Sequence, residues 1–238
     1  MKRAIVLLSG GLDSATAMWK VKDQYTQIYA LTFAYGAKDE KVMLKATKKL
    51  SKLAGAKHIV ISLPWLEGFS KTAGSALVSE KDVPSLGEED LNDSLKAKAT
   101  AKAVWVPARN LVFLSIAASF AEALGGRADI ITGFDKEEAA TFPDNSQEFV
   151  ERMNRALELA VLAKGIRIIA PIVHLNKGDI AGLASELGLP VEYTTSCYNP
   201  CGIDRHGRPI HCGACESCVR RKRGFKSVGM DRTVYRRV

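Results

Sequence analysis

The chain has 238 residues, of which 47% are hydrophobic and 25% charged, and its formal net charge is +8. That length supports one substantial core with an appendage, or two small domains, and the composition is that of an ordinary soluble globular protein. The longest apolar run, 111–124, is interrupted by Ser115, Ser119 and Glu122; it is too short and too polar to span a bilayer and reads as a buried helix. The apolar stretch after Met1-Lys2-Arg3 is too brief for a signal peptide, so a cytoplasmic protein is expected.

Residues 4–8 form a short apolar strand that runs into Ser9-Gly10-Gly11-Leu12-Asp13-Ser14 and then into a helix-permissive stretch from Ala15. The glycines allow a tight turn with converging N–H groups, Ser9 and Ser14 add hydroxyls, and the helix presents the positive end of its dipole, so an anion belongs there. The lysine and Ser/Thr that close the common phosphate loop of ATPases and GTPases are missing. A bare Gly-Gly turn would be only a tight βα connection, but the two serines, the aspartate and the strand-to-helix placement favour a nucleotide. Ser-Gly-Gly-x-Asp-Ser resembles the signature of the PP-loop ATP pyrophosphatases. That resemblance implies that the β,γ-pyrophosphate of ATP is gripped as a leaving group while an acid or amide oxygen is adenylated, with AMP as product. Leu8, Ser9, Gly10, Gly11, Leu12, Asp13, Ser14, Ala15, Thr16, Ala17 and Met18 would form this nucleotide site, with Mg²⁺ screening the phosphates.

Residues 28–33 read as a buried parallel strand, and from Asp39 the residues Val42, Met43, Ala46, Leu50 and Leu53 recur at helical spacing among lysines. With a third strand over 58–63, the βαβαβ order predicts a parallel sheet with right-handed crossovers. Residues 64–104 break this rhythm with Gly, Pro and an acidic run, and are expected to form an irregular lid or insertion. The helix over 111–124 follows, then a fourth strand over 129–134. A helix over 147–163 carries Phe149, Met153, Leu157 and Ala160 on one face; a fifth strand over 166–173 and a helix over 177–187 complete the pattern. The predicted fold is α/β, a doubly wound, mainly parallel five-stranded sheet with helices on both faces, with residues 1–190 as the nucleotide-binding domain. A small zinc-binding, basic subdomain would occupy 191–238.

Ligands of open parallel sheets lie at the carboxyl ends of the strands, which directs attention to the segments that follow them. Arg109 and Asn110 stand at a helix start, where an arginine can bind a carboxylate or phosphate bidentately; capping with a surface ion pair is the plainer alternative. Asp144 and Asn145 either touch substrate or cap the next helix. Lys177 opens a helix against the dipole, a misfit that suits a residue stabilising charge at the α-phosphate during adenylation.

Near the C-terminus, Cys197 precedes Cys212-Gly213-Ala214-Cys215-Glu216-Ser217-Cys218. Two consecutive CxxC spacings bring three thiolates to one turn, and Cys197 completes a tetrahedron suited to a closed, structural zinc site. Cys201 and His211 are spare candidates, and an iron–sulfur cluster is the other chemical reading. Most of the net charge sits in the last 20 residues, with eight basic residues and one acid. A compact basic tail of this kind steers anions, pairs internally or is solvated; a nucleic-acid enzyme would carry a wider field with interleaved aromatics, so nucleic acid is not an expected partner.

The Ser9–Ser14 loop, Tyr35-Gly36, Val106-Pro107-Ala108-Arg109-Asn110, Phe142-Pro143-Asp144, Ala170-Pro171 with Lys177, and Ser196-Cys197-Tyr198 with the CxxC pairs and Arg220 occur in one order. Together they resemble the 7-cyano-7-deazaguanine synthases, the nitrile-forming enzymes of queuosine and archaeosine synthesis, over nearly the whole chain. The resemblance implies ATP-dependent conversion of 7-carboxy-7-deazaguanine and ammonia to the 7-cyano base through an amide. It implies Asp13, Lys177 and Arg109 as catalytic residues, Arg109, Asn110, Phe142 and Asp144 as substrate contacts, Cys197, Cys212, Cys215 and Cys218 as zinc ligands, and a homodimer. Ala34 before Tyr35, Ala37-Lys38-Asp39 after Gly36, and Asn145 after the Pro-Asp pair depart from the family pattern at the nucleobase pocket. Two other readings are another PP-loop enzyme that forms an amide or thio group, and a zinc-containing nucleic-acid-binding module that would leave the nucleotide loop unexplained.

Overall fold

The N-terminal apolar run becomes β1 (Arg3–Leu7), the central strand of a five-stranded sheet whose order is β3-β2-β1-β4-β5. The others are β2 (Gln27–Ala34), β3 (Lys57–Ser62), β4 (Ala128–Ile131) and β5 (Ile166–Ile169), and every pairing is parallel. The computed structural model describes residues 2–229 and 231–237, without the side chains of Asn92 and Ser94. Ala4 pairs with Ile28 on one side and Asp129 on the other, so β1 has a neighbour along both edges. Strand order reverses between β1 and β4, and in open parallel sheets the ligand crevice forms outside the carboxyl ends at such a switch point.

Alternation along the strands divides the core in two. Ile5, Tyr29, Leu31, Phe33, Ile130 and Ile168 face one layer, packed by α5 (Arg109–Ala123) and α7 (Gln147–Ala160). Ala4, Val6, Ile28, Ala30 and Ile131 face the other, against α1 (Leu12–Val21), α2 (Glu40–Leu53), α8 (Lys177–Glu186) and α9 (Glu216–Lys226). The amphipathic reading of α2 holds: Val42, Met43, Ala46, Thr47, Leu50 and Ser51 are its buried face. The run 111–124 is less buried than its composition suggested. Leu114, Ala117, Ala118 and Ala121 face the core, whereas Leu111 is exposed, because α5 covers only one side of the sheet.

The segment 64–104, expected to be irregular, contains α3 (Pro64–Thr72) and α4 (Ser94–Ala103). Pro64 stands in the first turn of α3, where its missing N–H costs nothing, and Asp93 caps α4 by accepting from the N–H groups of Leu95 and Lys96. Along the sequence the Gly and Pro between the helices mask these start signals. The connecting stretch docks on the cysteine-rich end, where Ser85 bridges to Cys215, its hydroxyl donates to the Ala214 carbonyl at 2.8 Å, and Glu216 N–H donates to Pro84 O at 3.1 Å. Beyond α8, α9 packs against that helix, and a two-stranded sheet, β6 (Ile210–His211) and β7 (Val234–Tyr235), closes the chain.

Candidate active site

At the switch point Gly10 adopts φ +78°, a conformation that suits glycine, and Gly11 leads into α1 in extended geometry. Ser9 and Ser14 hydroxyls lie 3.0 Å apart, and Gly11 N–H donates to Ser9 Oγ at 3.3 Å. At the end of β4, a Cβ on Gly133 would stand 2.5 Å from Ser14 N, so only glycine lets the β4 end come this close to the start of α1. Leu8, Ser9, Gly11, Asp13 and Ser14 line a cleft of about 260 Å³, and Leu12 lines a smaller adjoining cavity. Ala15, Thr16, Ala17 and Met18 are not brought to the cleft. They turn into the core, and the Thr16 hydroxyl donates to Leu12 O at 2.8 Å.

Lys177 opens α8 and is 6% exposed. Its ammonium lies 2.7 Å from Asp135, 2.9 Å from Asp13 and 3.2 Å from Glu138. Burial alone would lower the lysine pKa, but Asp13, Glu138 and Asp135 outweigh it and hold the group charged well above the ordinary range. Burial, reinforced by Glu138, pushes the Asp135 carboxyl up to about 7, while its Oδ1 caps α6 (Lys136–Ala139) by accepting from the N–H groups of Glu137 and Glu138. Oxygens of Asp13, Asp135 and Glu138 lie within 4.8 Å of one another, and Asp13 Oδ1 is buried without a hydrogen-bond partner among the described residues. This donor set of hard oxygens fits Mg²⁺. The cost of Lys177 against the helix dipole is thus met by three acids, while Asn176 and Asp179 form a capping box at the same helix end.

The other end of the cleft is aromatic, lined by Phe33, Tyr35, Trp105, Phe113 and Phe142. Arg109 donates to the Tyr35 hydroxyl at 3.3 Å and forms no ion pair among the described residues. Asn110 does not cap α5: the N-cap is Ala108, at φ +50°, and the Asn110 amide donates to Asp144 O at 3.2 Å. Neither Asp144 nor Asn145 caps α7, because Ser146 Oγ accepts from Phe149 N–H at 3.1 Å. Asp144 instead lines the cleft, its pKa raised by burial against the opposing pull of Arg109. Trp105 and Phe142 lie nearly parallel, with ring centroids 6.0 Å apart.

The cysteines gather as the spacing predicts. The sulfurs of Cys197, Cys212, Cys215 and Cys218 lie within 4.8 Å of one another, Cys212 to Cys218 being 3.9 Å and Cys197 to Cys215 4.0 Å. Tetrahedral zinc with bonds of ~2.3 Å sets its sulfurs about 3.8 Å apart, so the set fits such an ion. Cys201 is exposed and outside the cluster. His211 is buried and accepts from Ser196 N–H at 3.1 Å, which leaves it a structural role. Much of the basic tail is spent inside the molecule. Arg220 pairs with Glu216 at 2.7 Å, Arg223 with Glu137 at 2.6 Å, and buried Arg221 donates to Val191 O, Thr194, Ser196 and Thr233.

A family model described as "Queuosine biosynthesis protein QueC" matches residues 3–229. The chain belongs to the QueC family. Proteins named 7-cyano-7-deazaguanine synthase are similar along almost their whole length. One from Pyrococcus horikoshii is 51% identical, covering 99% of this chain and 98% of that one; one from Pyrococcus furiosus is 49% identical, covering 98% and 97%. A third, from Methanothermobacter thermautotrophicus, is 45% identical over 96% of each chain.

Within this QueC-family site, sequence reasoning missed Asp135, Glu137 and Glu138. They sit in the segment after β4 that it inspected, and the signal was the acid run Asp135-Lys136-Glu137-Glu138 beside a lysine already judged misplaced. Glu137 accepts from Lys177 N–H at 3.0 Å and pairs with Arg220 and Arg223, which ties α9 to the lysine's own backbone. Tyr198, next to Cys197, also lines the cleft, so the thiolate turn supplies part of its wall. Among the described residues no helix is long and apolar enough to cross a membrane.

Proposed function

We propose that the chain converts 7-carboxy-7-deazaguanine and ammonia to 7-cyano-7-deazaguanine, consuming ATP in two successive adenylations. What carries the reading is the pairing, in one cleft, of an anion-gripping loop with an arginine that has a hydroxyl partner but, among the described residues, no carboxylate at ion-pair distance. A half-buried guanidinium of this kind suits the carboxylate of a planar substrate lying among Trp105, Phe142 and Tyr35, with Asn110 and Asp144 at its edge.

The backbone N–H groups and hydroxyls of the Ser9–Ser14 loop hold the β,γ-pyrophosphate. Arg109 orients the substrate so that a carboxylate oxygen attacks the α-phosphorus and pyrophosphate leaves. Lys177 stabilises the charge that develops on the α-phosphate, from a position held by Asp13, Asp135 and Glu138. Ammonia then attacks the activated carbon, AMP departs, and loss of a proton leaves the amide. In the second round the amide oxygen takes the adenylyl group from another ATP, and loss of AMP with the remaining amide protons forms the nitrile. Mg²⁺, held by Asp13 and Glu138, would neutralise phosphate charge; Zn²⁺ on Cys197, Cys212, Cys215 and Cys218 would be a crosslink, since a closed four-sulfur shell has no position for water. In this reading residues 1–190 carry the nucleotide chemistry, 191–238 the metal-bound appendage, and the enzyme is a cytoplasmic homodimer.

The test is incubation of the purified protein with ATP, Mg²⁺, ammonium and 7-carboxy-7-deazaguanine, following AMP by chromatography and the base by mass spectrometry. AMP with a nitrile product is expected. AMP formation only with a different acceptor would discard the substrate, and none with any acceptor would discard the reaction.

A further inference from the structure

Buried threonines in this chain spend their hydroxyls on nearby carbonyls. Thr16 donates to Leu12 at 2.8 Å, Thr32 to Leu8 at 2.9 Å, Thr47 to Met43 at 2.9 Å, Thr100 to Ala97 at 2.9 Å and Thr194 to Val191 at 2.7 Å. Thr132 and Thr195 do not. They are 1% and 4% exposed, and neither Oγ1 has a partner among the described residues. A buried hydroxyl left unpaired forfeits its hydration with nothing in return, so the exceptions call for a ligand.

Both exceptions line the large cleft, and both flank the nucleotide loop. Thr132 precedes Gly133, which abuts Ser14 at the start of α1. Thr195 donates its backbone N–H to Gly10 O at 2.7 Å, at the other end of the loop. The backbone of Thr132 is fixed by a bond to Ile169 O at 3.0 Å. Thr195 is held between Thr194 and Ser196, whose hydroxyls both accept from Arg221. These hydrogen bonds anchor the backbone at both positions without a ligand, which lowers the cost of ordering them when one binds.

We propose that Thr132 and Thr195 complete the phosphate site, each donating its hydroxyl to the pyrophosphate gripped by the Ser9–Ser14 loop. The proposal rests on the ATP-pyrophosphatase reading and adds donors from two segments that the loop motif does not include. One of them, Thr195, lies two residues before Cys197, so the thiolate turn delivers a phosphate donor to the opposite end of the loop.

The experiment measures binding of inorganic pyrophosphate and of α,β-methylene-ATP, with Mg²⁺, by calorimetry on Thr132→Val, Thr195→Val and the matching Thr→Ser variants. Valine keeps the shape and removes only the unpaired hydroxyl. The apo protein should therefore melt no lower than wild type, while the dissociation constant for each probe rises roughly tenfold per site. Serine keeps the hydroxyl and should bind within about twofold of wild type. Thr→Ala variants serve the same comparison should valine not fold. Unchanged affinity in folded valine or alanine variants would overturn the proposal, as would equal losses in serine and valine, which would assign the effect to packing of the methyl group. A wild-type protein that binds neither probe would remove the nucleotide reading itself, and this proposal with it.

Discussion

The two ends of the cleft are built on opposite principles. Around Lys177, three carboxylates already surround one ammonium and every distance is 3.2 Å or less. Around Arg109, a guanidinium has a tyrosine hydroxyl for its hydrogen bond, among aromatic rings. The first end pairs its cation internally and keeps Asp13 Oδ1 open to a ligand, whereas the second leaves its guanidinium with no carboxylate at ion-pair distance among the described residues. A cluster of acids around the lysine holds its charge in place without substrate, whereas an arginine with no carboxylate at ion-pair distance gains most when a ligand brings one. The difference supports the proposed division of the cleft, with chemistry at the first end and recognition at the second.

Removing the central cation is the most severe way to break this contrast. Lys177→Ala leaves Asp13, Asp135 and Glu138 facing one another in a buried site, and should cost about 3 kcal/mol of stability. AMP formation should fall by about 10²–10³, the scale of losing one preorganised charge at a transition state. Denaturant unfolding and AMP turnover measure the two losses separately. Turnover within tenfold of wild type in folded protein would remove Lys177 from the chemistry.

The thiolate cluster offers the next largest effect. Cys215→Ser should lower bound metal, measured by elemental analysis, and reduce Tm by about 10 °C, because metal binding contributes directly to folding. Full metal content with an unchanged Tm would show that the four sulfurs are not a ligand set.

The contrast between the two ends also explains what was legible in the sequence. The five parallel strands followed from apolar runs punctuated by glycine, and the nucleotide loop from a short motif with a local physical meaning. The four cysteines were legible because metal geometry depends on spacing. The helices α3 and α4 within 64–104 were not legible because they are short and one starts on Pro64, so the breaks between them dominate the pattern. Asp135, Glu137 and Glu138 were not assigned because their partners, Lys177, Arg220 and Arg223, are 39 to 86 residues away along the chain. Pairings across that span come from the strand order, which places β4 beside β1 and the start of α8 next to both. Thr132 and Thr195 were invisible for a related reason, since an unpaired hydroxyl can be recognised only once its neighbours are known.

At the recognition end, Arg109→Ala should raise KM for the carboxylated base about 10- to 100-fold while KM for ATP changes little. Steady-state kinetics with each substrate varied in turn measures the split. Equal increases for both substrates would mean that Arg109 serves the phosphates and that the division of the cleft is wrong.

The smallest effect concerns a carboxylate that stands at a helix start without capping it. Asp39 is the N-cap residue of α2, yet its side chain makes no cap hydrogen bond and instead lines the cleft. Burial pushes its pKa from 3.8 up to about 6, against the pull of Arg109. Between these two values the folded protein keeps a proton that the unfolded chain releases, so this group favours the folded state at low pH and that contribution is lost as pH rises from about 4 to about 6. Asp39→Asn removes the titration, and its Tm should decline less than wild type across that interval. Parallel curves of Tm against pH for the two proteins would mean that Asp39 is solvated like an ordinary surface acid. The recognition end would then keep Asp144 but not Asp39 as a carboxylate raised by burial, which would narrow its contrast with the cluster around Lys177.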